Sequence, residues 1–330
     1  KYIIADTPGH EQYTRNMVTA ASTADMAVIL IDVNKGVLSQ TKRHFYVCNI
    51  LGIKRFIITV NKMDTVNYDQ EKYESIVSAF KKFAKIVGVN NIQFIPISAR
   101  GGDNLIARSS QMEWYNGDSL LGFLERDEQE VKSEENAEFI LPVQYISRGS
   151  SGDRTVCGRV NSGSIKVGDE LKILPSRQTA TIKSINGISK PNSIGSGQSA
   201  GLTFKQQVDC SRGDILVNVE NQIQIADQFN VKIVWMNEAP LLPGRSYWLK
   251  IGSKLVSATV SKPKYKLNVH NLEQLSCNTL ELNEVGVSVL TLDRKIPFLP
   301  YHLNKELGGF ILIDKVSNLT VGAGLIEYAL

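Results

Sequence analysis

The chain has 330 residues, too many for one small core, so its length predicts two or three domains. Its composition, with 42% hydrophobic and 21% charged residues, is typical of a soluble globular protein. The formal net charge of +4 comes from scattered basic residues, which argues against a dedicated nucleic-acid-binding protein, in which lysine and arginine cluster on one face.

Strands and helices alternate over residues 1–130. Apolar runs predict strands at residues 2–5, 26–31, 56–60 and 92–97, and helical periodicity predicts helices at residues 40–51 and 69–87. The run 26–31 is wholly apolar, as is typical of a strand buried on both faces of a sheet. It is also far too short to span a bilayer. This alternation predicts an α/β domain with a doubly wound sheet.

The periodicity changes after a charged stretch at residues 125–138, which we interpret as a linker. Short predicted strands with Gly and Asp turns between them follow at residues 139–147, 155–160, 170–174, 179–185 and 214–219. A second series of strands runs from residue 229 to residue 329. Regular short strands with turn signals predict two all-β barrels. We therefore expect domains at residues 1–130, 138–226 and 228–330.

The four cysteines are far apart in the sequence and include no Cys-x-x-Cys pair. They therefore predict neither a zinc site nor a disulfide framework. Scattered thiols are typical of reduced proteins, so we expect a cytoplasmic location, with no membrane partner.

A polar motif follows the first predicted strand. Asp6 stands where a carboxylate can hold Mg²⁺, which prefers few carboxylates together with phosphate oxygens. Gly9 has no side chain, so its N–H can approach a γ-phosphate, and His10 can position an attacking water. For this motif alone, a helix cap, a turn and a surface histidine remain an open alternative.

Two more motifs follow later strands. The Asp64 carboxylate can accept hydrogen bonds from guanine N1–H and the 2-amino group, which adenine lacks. The Lys62 stem can lie over the purine ring, and Asn61 can hydrogen-bond across the site and hold the neighbouring loops. Ser98 and Ala99 can present a backbone N–H to guanine O6. Taken alone, each motif is equally compatible with an ordinary turn or loop.

The joint occurrence of the three motifs predicts a guanine-nucleotide site, because ligands of open α/β sheets bind outside the carboxyl ends of the strands. A complete site also needs a Gly-x-x-x-x-Gly-Lys-Ser/Thr loop for the phosphates, and the chain contains no Gly-Lys dipeptide. Since that loop precedes the Asp-x-x-Gly motif, and the chain starts with Lys1, we interpret it as a fragment that begins inside a domain. We expect such a fragment to bind nucleotide weakly and to be inactive by itself.

Residues 6–17, Asp-Thr-Pro-Gly-His-Glu-Gln-Tyr-Thr-Arg-Asn-Met, resemble the pattern Asp-x-Pro-Gly-His-x-x-Tyr-x-x-Asn-Met of the translation-factor GTPases. Within that superfamily, residues 11–17 resemble the large GTPase subunit of bacterial sulfate adenylyltransferase. Residues 211–214 (Ser-Arg-Gly-Asp), 234–237 (Val-Trp-Met-Asn) and 242–247 (Leu-Pro-Gly-Arg-Ser-Tyr) carry the same resemblance. Leu299 departs from the family pattern, which usually has an acidic residue there.

The resemblance implies an incomplete, doubly wound α/β P-loop-type GTPase domain followed by two all-β barrels. It also implies a nucleotidyltransferase subunit whose GTP hydrolysis drives formation of adenosine 5'-phosphosulfate and pyrophosphate from ATP and sulfate. The implied partner is a small catalytic subunit, in a heterodimer without nucleic acid, and the implied cofactors are GTP and Mg²⁺. By position, His10 is the catalytic residue, Asp6 the metal ligand, and the nucleotide-binding residues are Asp6, Gly9, Asn61, Lys62, Asp64, Ser98 and Ala99.

Two other functions remain open from the sequence. A translation elongation factor-like GTPase that delivers aminoacyl-tRNA shares the first two domains, so the α/β motifs do not separate it from sulfate activation. The third-domain segments favour sulfate activation. An interaction scaffold without GTP turnover is the third possibility.

Overall fold

The computed structural model describes residues 2–7, 14–126, 137–148, 154–187 and 192–330. Its contacts divide the chain into two compact units, residues 1–131 with 266–276 and residues 132–265 with 277–330. No helix within the described ranges combines the length and the apolar character that crossing a membrane requires. The predicted linker at residues 125–138 lies mostly outside the described residues, and the predicted domain boundaries stay predictions.

The first unit contains a parallel three-stranded sheet. Its strands are β1 (Met26–Asp32), β2 (Arg55–Asn61) and β3 (Ile92–Pro96), in the order β1-β2-β3. Its helices are α1 (Thr14–Thr23), α2 (Ser39–Ile50), α3 (Gln70–Val87) and α4 (Leu120–Arg126). The central strand β2 is buried from residue 56 to residue 60, as expected for an apolar parallel strand covered on both faces. These bounds confirm the predicted strands at 26–31, 56–60 and 92–97 and the predicted helices at 40–51 and 69–87.

Helix α3 shows how the local sequence sets the ends of an element. The Asp69 side chain caps its first turn, and Gly88, with a φ of 81°, ends it in the left-handed conformation. Between them, apolar residues at helical spacing form a buried stripe. The Phe80 ring lies 5.0 Å from the Phe45 ring of α2 and 5.9 Å from the Phe94 ring of β3. This stripe therefore packs α3 against both the sheet and its neighbouring helix.

Two expectations for the sheet are wrong. Residues 2–5 form no strand, and Ile3 and Ile4 are 94% and 87% exposed. A strand needs a paired neighbour for its backbone N–H and C=O groups, and among the described residues β1 pairs only with β2. Strand β1 is also not buried on both faces, because Val28 and Leu30 are 42% and 59% exposed and no described element covers them. An apolar sequence indicates that its side chains favour burial, but it does not provide the neighbouring strand or helix that would bury them.

The second unit begins with a barrel of short antiparallel strands. These are β4 (Ile140–Arg148), β5 (Arg154–Arg159), β6 (Ser164–Lys166), β7 (Glu170–Leu174), β8 (Gln178–Asn186), β9 (Ser193–Gly195), β10 (Ser199–Phe204) and β11 (Ile215–Asn218). Six of them close in the order β10-β5-β4-β11-β7-β8, and β6 pairs with β9. Side chains alternate between the core and the surface, so Leu171 and Ile173 of β7 are fully buried.

The second barrel follows in the chain. Its elements are β12 (Gln224–Trp235), β13 (Ser246–Ile251), β14 (Lys254–Val260), β17 (Val285–Phe298), α5 (Lys305–Gly308), β18 (Gly309–Asp314) and β19 (Thr320–Ala329). Between β14 and β17 in the chain, the short strands β15 (Tyr265–Leu267) and β16 (Gln274–Leu275) pair with each other, and residues 266–276 are grouped with the first unit. Strand β12 pairs with both β19 and β17 and so closes β12, β19, β18, β13, β14 and β17 into a ring. In its core, the rings of Phe229 and Phe298 lie 4.9 Å apart. Both predicted all-β barrels are therefore confirmed.

The two barrels contact each other within the second unit. Lys254 Nζ lies 3.0 Å from Asp214 Oδ1, and Ser253 Oγ donates a hydrogen bond of 2.7 Å to the carbonyl of Val143. Leu299, which departs from the family pattern, packs against a buried apolar cluster. That cluster consists of Ile140, Leu174, Ile215, Val217 and Leu307. Leucine suits this place, because an unpaired carboxylate among apolar side chains is costly to bury.

Candidate guanine-nucleotide site

The loop after β2 is anchored by Met63, its second residue. Asn61 ends the strand, Lys62 has a φ of 68°, and residues Met63–Val66 form a 3₁₀ turn. The Met63 side chain is fully buried, and its backbone N–H donates a hydrogen bond of 3.2 Å to the carbonyl of Ile97. The turn is therefore fixed against the end of β3, and Lys62 and Asp64 flank the anchored residue.

Asn61 connects the loops that follow β2 and β3. Its Oδ1 accepts hydrogen bonds from the backbone N–H of Lys62, at 2.7 Å, and of Ala99, at 3.0 Å. The structure thus contains the loop-holding bond that the sequence assigned to Asn61. The Ala99 amide is already engaged by this bond, so a bond to guanine O6 would have to be shared with Asn61.

Ser98 orients the Asp64 carboxylate. Ser98 is fully buried, its Oγ donates a hydrogen bond of 2.8 Å to Asp64 Oδ1, and the same Oγ accepts one of 3.0 Å from the Gly101 N–H. A carboxylate has about four acceptor positions, and Ser98 uses one of them. The half-buried Asp64 therefore keeps the capacity to accept the two donors that guanine presents.

A second layer of residues supports the loop after β3, and the sequence analysis missed it. Asp103 accepts hydrogen bonds from Ser109 Oγ, at 2.6 Å, and from Tyr68 Oη, at 3.0 Å. Burial and the bond to Asp103 raise the pKa of Tyr68, which keeps its hydroxyl protonated as the donor. A Cβ on Gly101 would lie 2.5 Å from Asp103 Oδ2, so a larger residue here would displace the Asp103 carboxylate that Ser109 and Tyr68 hold.

Asp32 is another residue that the motifs did not single out. It ends β1, and its Oδ2 lies 2.8 Å from Lys62 Nζ. The only sequence signal for it was a carboxylate at the carboxyl end of a parallel strand, the edge at which ligands of such sheets bind.

The structure does not bring the residues expected to bind the phosphates together with the loops after β2 and β3. Asp6 is exposed and lies in no helix or strand, and no hydrogen bond or ion pair within the described ranges joins it to the loops after β2 and β3. Gly9 and His10 lie outside the described residues. In the part of the chain that the structure describes, no group of three or more His, Cys, Asp or Glu side chains is placed to hold a metal ion. The structure therefore brings together five of the predicted residues, Asn61, Lys62, Asp64, Ser98 and Ala99.

Comparison of the sequence with known proteins assigns the chain to a family. Residues 1–139 match the family described as Elongation factor Tu GTP binding domain, and residues 228–327 match the family described as GTP-eEF1A C-terminal domain-like. Sulfate adenylyltransferase subunit 1 of Saccharophagus degradans is 42% identical over 329 residues, which are 99% of this chain and 69% of that protein. The chain belongs to the sulfate adenylyltransferase subunit 1 family.

Two further relatives support the assignment to the sulfate adenylyltransferase subunit 1 family. Sulfate adenylyltransferase subunit 1 of Photobacterium profundum is 44% identical over the whole of this chain and 70% of its own length. The bifunctional enzyme CysN/CysC of Xylella fastidiosa is 44% identical over 99% of this chain, which spans 52% of that protein. The chain thus spans about half of the bifunctional relative and 69% and 70% of the two named subunit 1 relatives. The family resemblance that the motifs predicted is confirmed.

A solved structure supports the fold. Sup35 complexed with GDP has a TM-score of 0.55 and 23% sequence identity, and the similarity covers 95% of this chain and 80% of that one. At this identity the likeness concerns the fold alone. The likeness agrees with an α/β domain followed by two barrels, and the family match of residues 1–139 identifies that part of the chain as a guanine-nucleotide-binding domain.

Proposed function

We propose that this chain is the GTPase subunit of sulfate adenylyltransferase, in which GTP hydrolysis drives formation of adenosine 5'-phosphosulfate and pyrophosphate from ATP and sulfate. One observation carries the nucleotide part of the proposal. The Ser98–Asp64 and Asn61–Ala99 hydrogen bonds, of 2.8 and 3.0 Å, join the two loops at the carboxyl edge of the sheet into one recognition surface. The names of the relatives favour sulfate activation over the delivery of aminoacyl-tRNA.

Each residue of the surface has a distinct part in binding guanine. Asp64 accepts from guanine N1–H and the 2-amino group, and Ser98 holds the carboxylate in place for both bonds. The Lys62 stem covers one face of the purine, while Asn61 fixes the separation of the two loops and Ala99 offers its amide to O6. Two donors read by one carboxylate distinguish guanine from adenine, because adenine has neither donor on that edge.

The phosphate end of the proposal depends on Asp6, Gly9 and His10. The donor chemistry of a single exposed carboxylate at Asp6 fits Mg²⁺, which takes one or two protein carboxylates and fills its other positions with water and phosphate oxygens. Bound Mg²⁺ would neutralise charge on the phosphate oxygens. Gly9 would let its backbone N–H approach the γ-phosphate, and His10 would orient the attacking water.

The partner and the location are proposed from the family. The relatives are named subunit 1, which implies at least one further subunit. We assign this further subunit the adenylyl transfer from ATP to sulfate, in a heterodimer with this chain. A cytoplasmic location agrees with the scattered cysteines, and cell fractionation with an antibody to this protein tests it.

The experiment combines the full-length natural protein with its small subunit and measures pyrophosphate release from ATP and sulfate, with and without GTP. We expect GTP to increase the release and Asp64→Asn to abolish the increase, because the amide has lost one acceptor. Asp293→Asn, a change on an exposed part of the second barrel, is the matched control and should leave the increase intact. Release that ignores GTP, together with salt-dependent binding of aminoacyl-tRNA, would contradict sulfate activation and favour the translation-factor function.

A further inference from the structure

The Asp32 carboxylate binds two different loops with its two oxygens. Its Oδ2 lies 2.8 Å from the Lys62 ammonium in the loop after β2. Its Oδ1 accepts hydrogen bonds from the backbone N–H of Asn34, at 2.9 Å, and from Asn34 Nδ2, at 3.2 Å, in the loop after β1. The Asp32 side chain is 19% exposed and the Lys62 side chain 55%, so the carboxylate is the enclosed member of the pair.

Asn34 extends this contact back to the Lys62 backbone. Its Nδ2 also donates a hydrogen bond of 2.8 Å to Thr65 Oγ1, and that hydroxyl donates one of 2.7 Å to the carbonyl of Lys62. A closed ring of contacts therefore runs through Asp32, Asn34, Thr65 and Lys62. The same carboxylate holds Lys62 at both ends, directly at the ammonium and through two side chains at the backbone.

The ring changes what Lys62 can do. A lysine stem has many rotamers, and a contact that needs one of them costs conformational entropy when the ligand binds. A stem fixed at both ends has lost this freedom before the ligand arrives. Hydrogen bonding to Lys62 also lowers the pKa of the Asp32 carboxyl, which keeps the carboxylate ionised and the charge-assisted contact intact at neutral pH.

We propose that Asp32 is a positioning residue for the guanine base, which holds the Lys62 ammonium so that the Lys62 stem forms one preset wall of the base site. The proposal rests on the proposed function, in which the loops after β2 and β3 bind guanine. Asp32 itself contacts no base. It acts through Lys62, whereas Asp64 acts on the donors of the base, and this difference makes the two roles separable by experiment.

The experiment measures the affinity of the full-length natural protein for fluorescent GDP and for fluorescent IDP, which lacks the 2-amino group. Asp32→Asn, Lys62→Met and the double variant form a double-mutant cycle. We expect Asp32→Asn to weaken both nucleotides equally, by about threefold to tenfold, because the stem covers either base. In the Lys62→Met background, Asp32→Asn should have no further effect, because the ammonium that it positions is absent.

Two further variants serve as controls for this experiment. Asp118→Asn removes another ion pair of the first unit, with Arg126, and should leave both affinities unchanged. Asp32→Glu keeps the charge and should retain affinity within about twofold, which keeps the test open if Asp32→Asn lowers the melting temperature.

Three results would overturn the positioning role. Effects of Asp32→Asn and Lys62→Met that add in the double variant would show that the two residues act independently. A changed ratio of GDP to IDP affinity in Asp32→Asn would place Asp32 at the 2-amino group. Equal affinity of Asp32→Asn and the unchanged protein would leave Asp32 without a role in binding. If the unchanged protein binds neither nucleotide, the proposed function itself fails, and this inference fails with it.

Discussion

Ser98 Oγ and Asp64 Oδ1 lie 2.8 Å apart, and this hydrogen bond ties the loop after β3 to the loop after β2. Ser98 is fully buried, so its hydroxyl has no water to replace the partner. The bond sets the direction of the carboxylate that is proposed to read guanine.

Ser98→Ala should weaken GDP binding by about tenfold, the typical effect of losing a hydrogen bond to a charged group. The change also removes the acceptor of the Gly101 N–H, so the loop after β3 loses a second contact. Titration with fluorescent GDP measures the effect. Ser184→Ala, which removes a hydroxyl bonded to Thr203 in the first barrel, is the matched control. Equal affinities of the two variants would mean that the Ser98 bond does not orient the base reader.

Asp64→Asn should exchange the base preference of the site. The amide keeps one acceptor and gains two N–H donors, so it matches xanthine, which has a carbonyl oxygen where guanine has its 2-amino group. We expect GDP affinity to fall by about 100-fold and affinity for xanthosine diphosphate to rise. Competition of the two nucleotides against a fluorescent reporter gives both values. A parallel loss of both would indicate that Asp64 supports the loop without touching the base.

Gly101→Ala should destabilise the first unit by about 1–3 kcal/mol, the usual range for overpacking. Its Cβ would lie 2.5 Å from Asp103 Oδ2 and 3.2 Å from Ser98 Oγ, so the loop has to open. Urea unfolding followed by the fluorescence of Trp114 measures the loss, since the Trp114 indole donates to the Tyr68 carbonyl in this region. Gly195→Ala, where the nearest atom lies 3.8 Å away, should be tolerated. A neutral Gly101→Ala would show that the loop relaxes without cost.

The thiols of Cys48 and Cys210 should resist modification in the folded protein. Burial raises the pKa of the Cys48 thiol to about 12, and burial together with the nearby Asp214 raises that of the Cys210 thiol to about 12. At pH 8, a thiol with this pKa is ionised to only about one part in 10⁴, and the thiolate is the reactive form. Reaction with Ellman's reagent at pH 8 should therefore spare both until guanidinium is added. Prompt labelling of either one in the folded chain, at the rate of the half-buried Cys157, would contradict this expectation.

The same two thiols predict a dependence of stability on pH. Their pKa values in the folded chain lie above that of an unfolded thiol, which is about 8.5. The folded state therefore favours the protonated form, and its contribution to stability is complete below about pH 8.5 and is lost as the pH rises towards 12. Urea unfolding at pH 7 and pH 10 checks the direction. Cys48→Ala should reduce the difference in the free energy of unfolding between pH 7 and pH 10.

Much of the fold was predictable, because local signals and side-chain periodicity agree in most elements. Asp69 and Gly88 mark the ends of α3, and the spacing of Tyr73, Ile76 and Phe80 marks its buried face. The barrels were predictable from the alternation of apolar and polar residues along strands such as β7. The strand expected at residues 2–5 was not, because an apolar run states a preference for burial, whereas a strand exists only if another backbone pairs with it.

The sequence by itself determined which chemical groups stand at the ends of β2 and β3, since motif order and strand position are properties of the chain. Tertiary structure alone decided how these groups are held. The Ala99 N–H donates a hydrogen bond to Asn61, and the Ser98 hydroxyl donates one to Asp64. Asp32, which ends a strand 30 residues before Lys62 in the chain, forms an ion pair with it. Such contacts join residues that are distant in sequence, and only the packing of neighbouring strands brings their loops together, which no local pattern encodes.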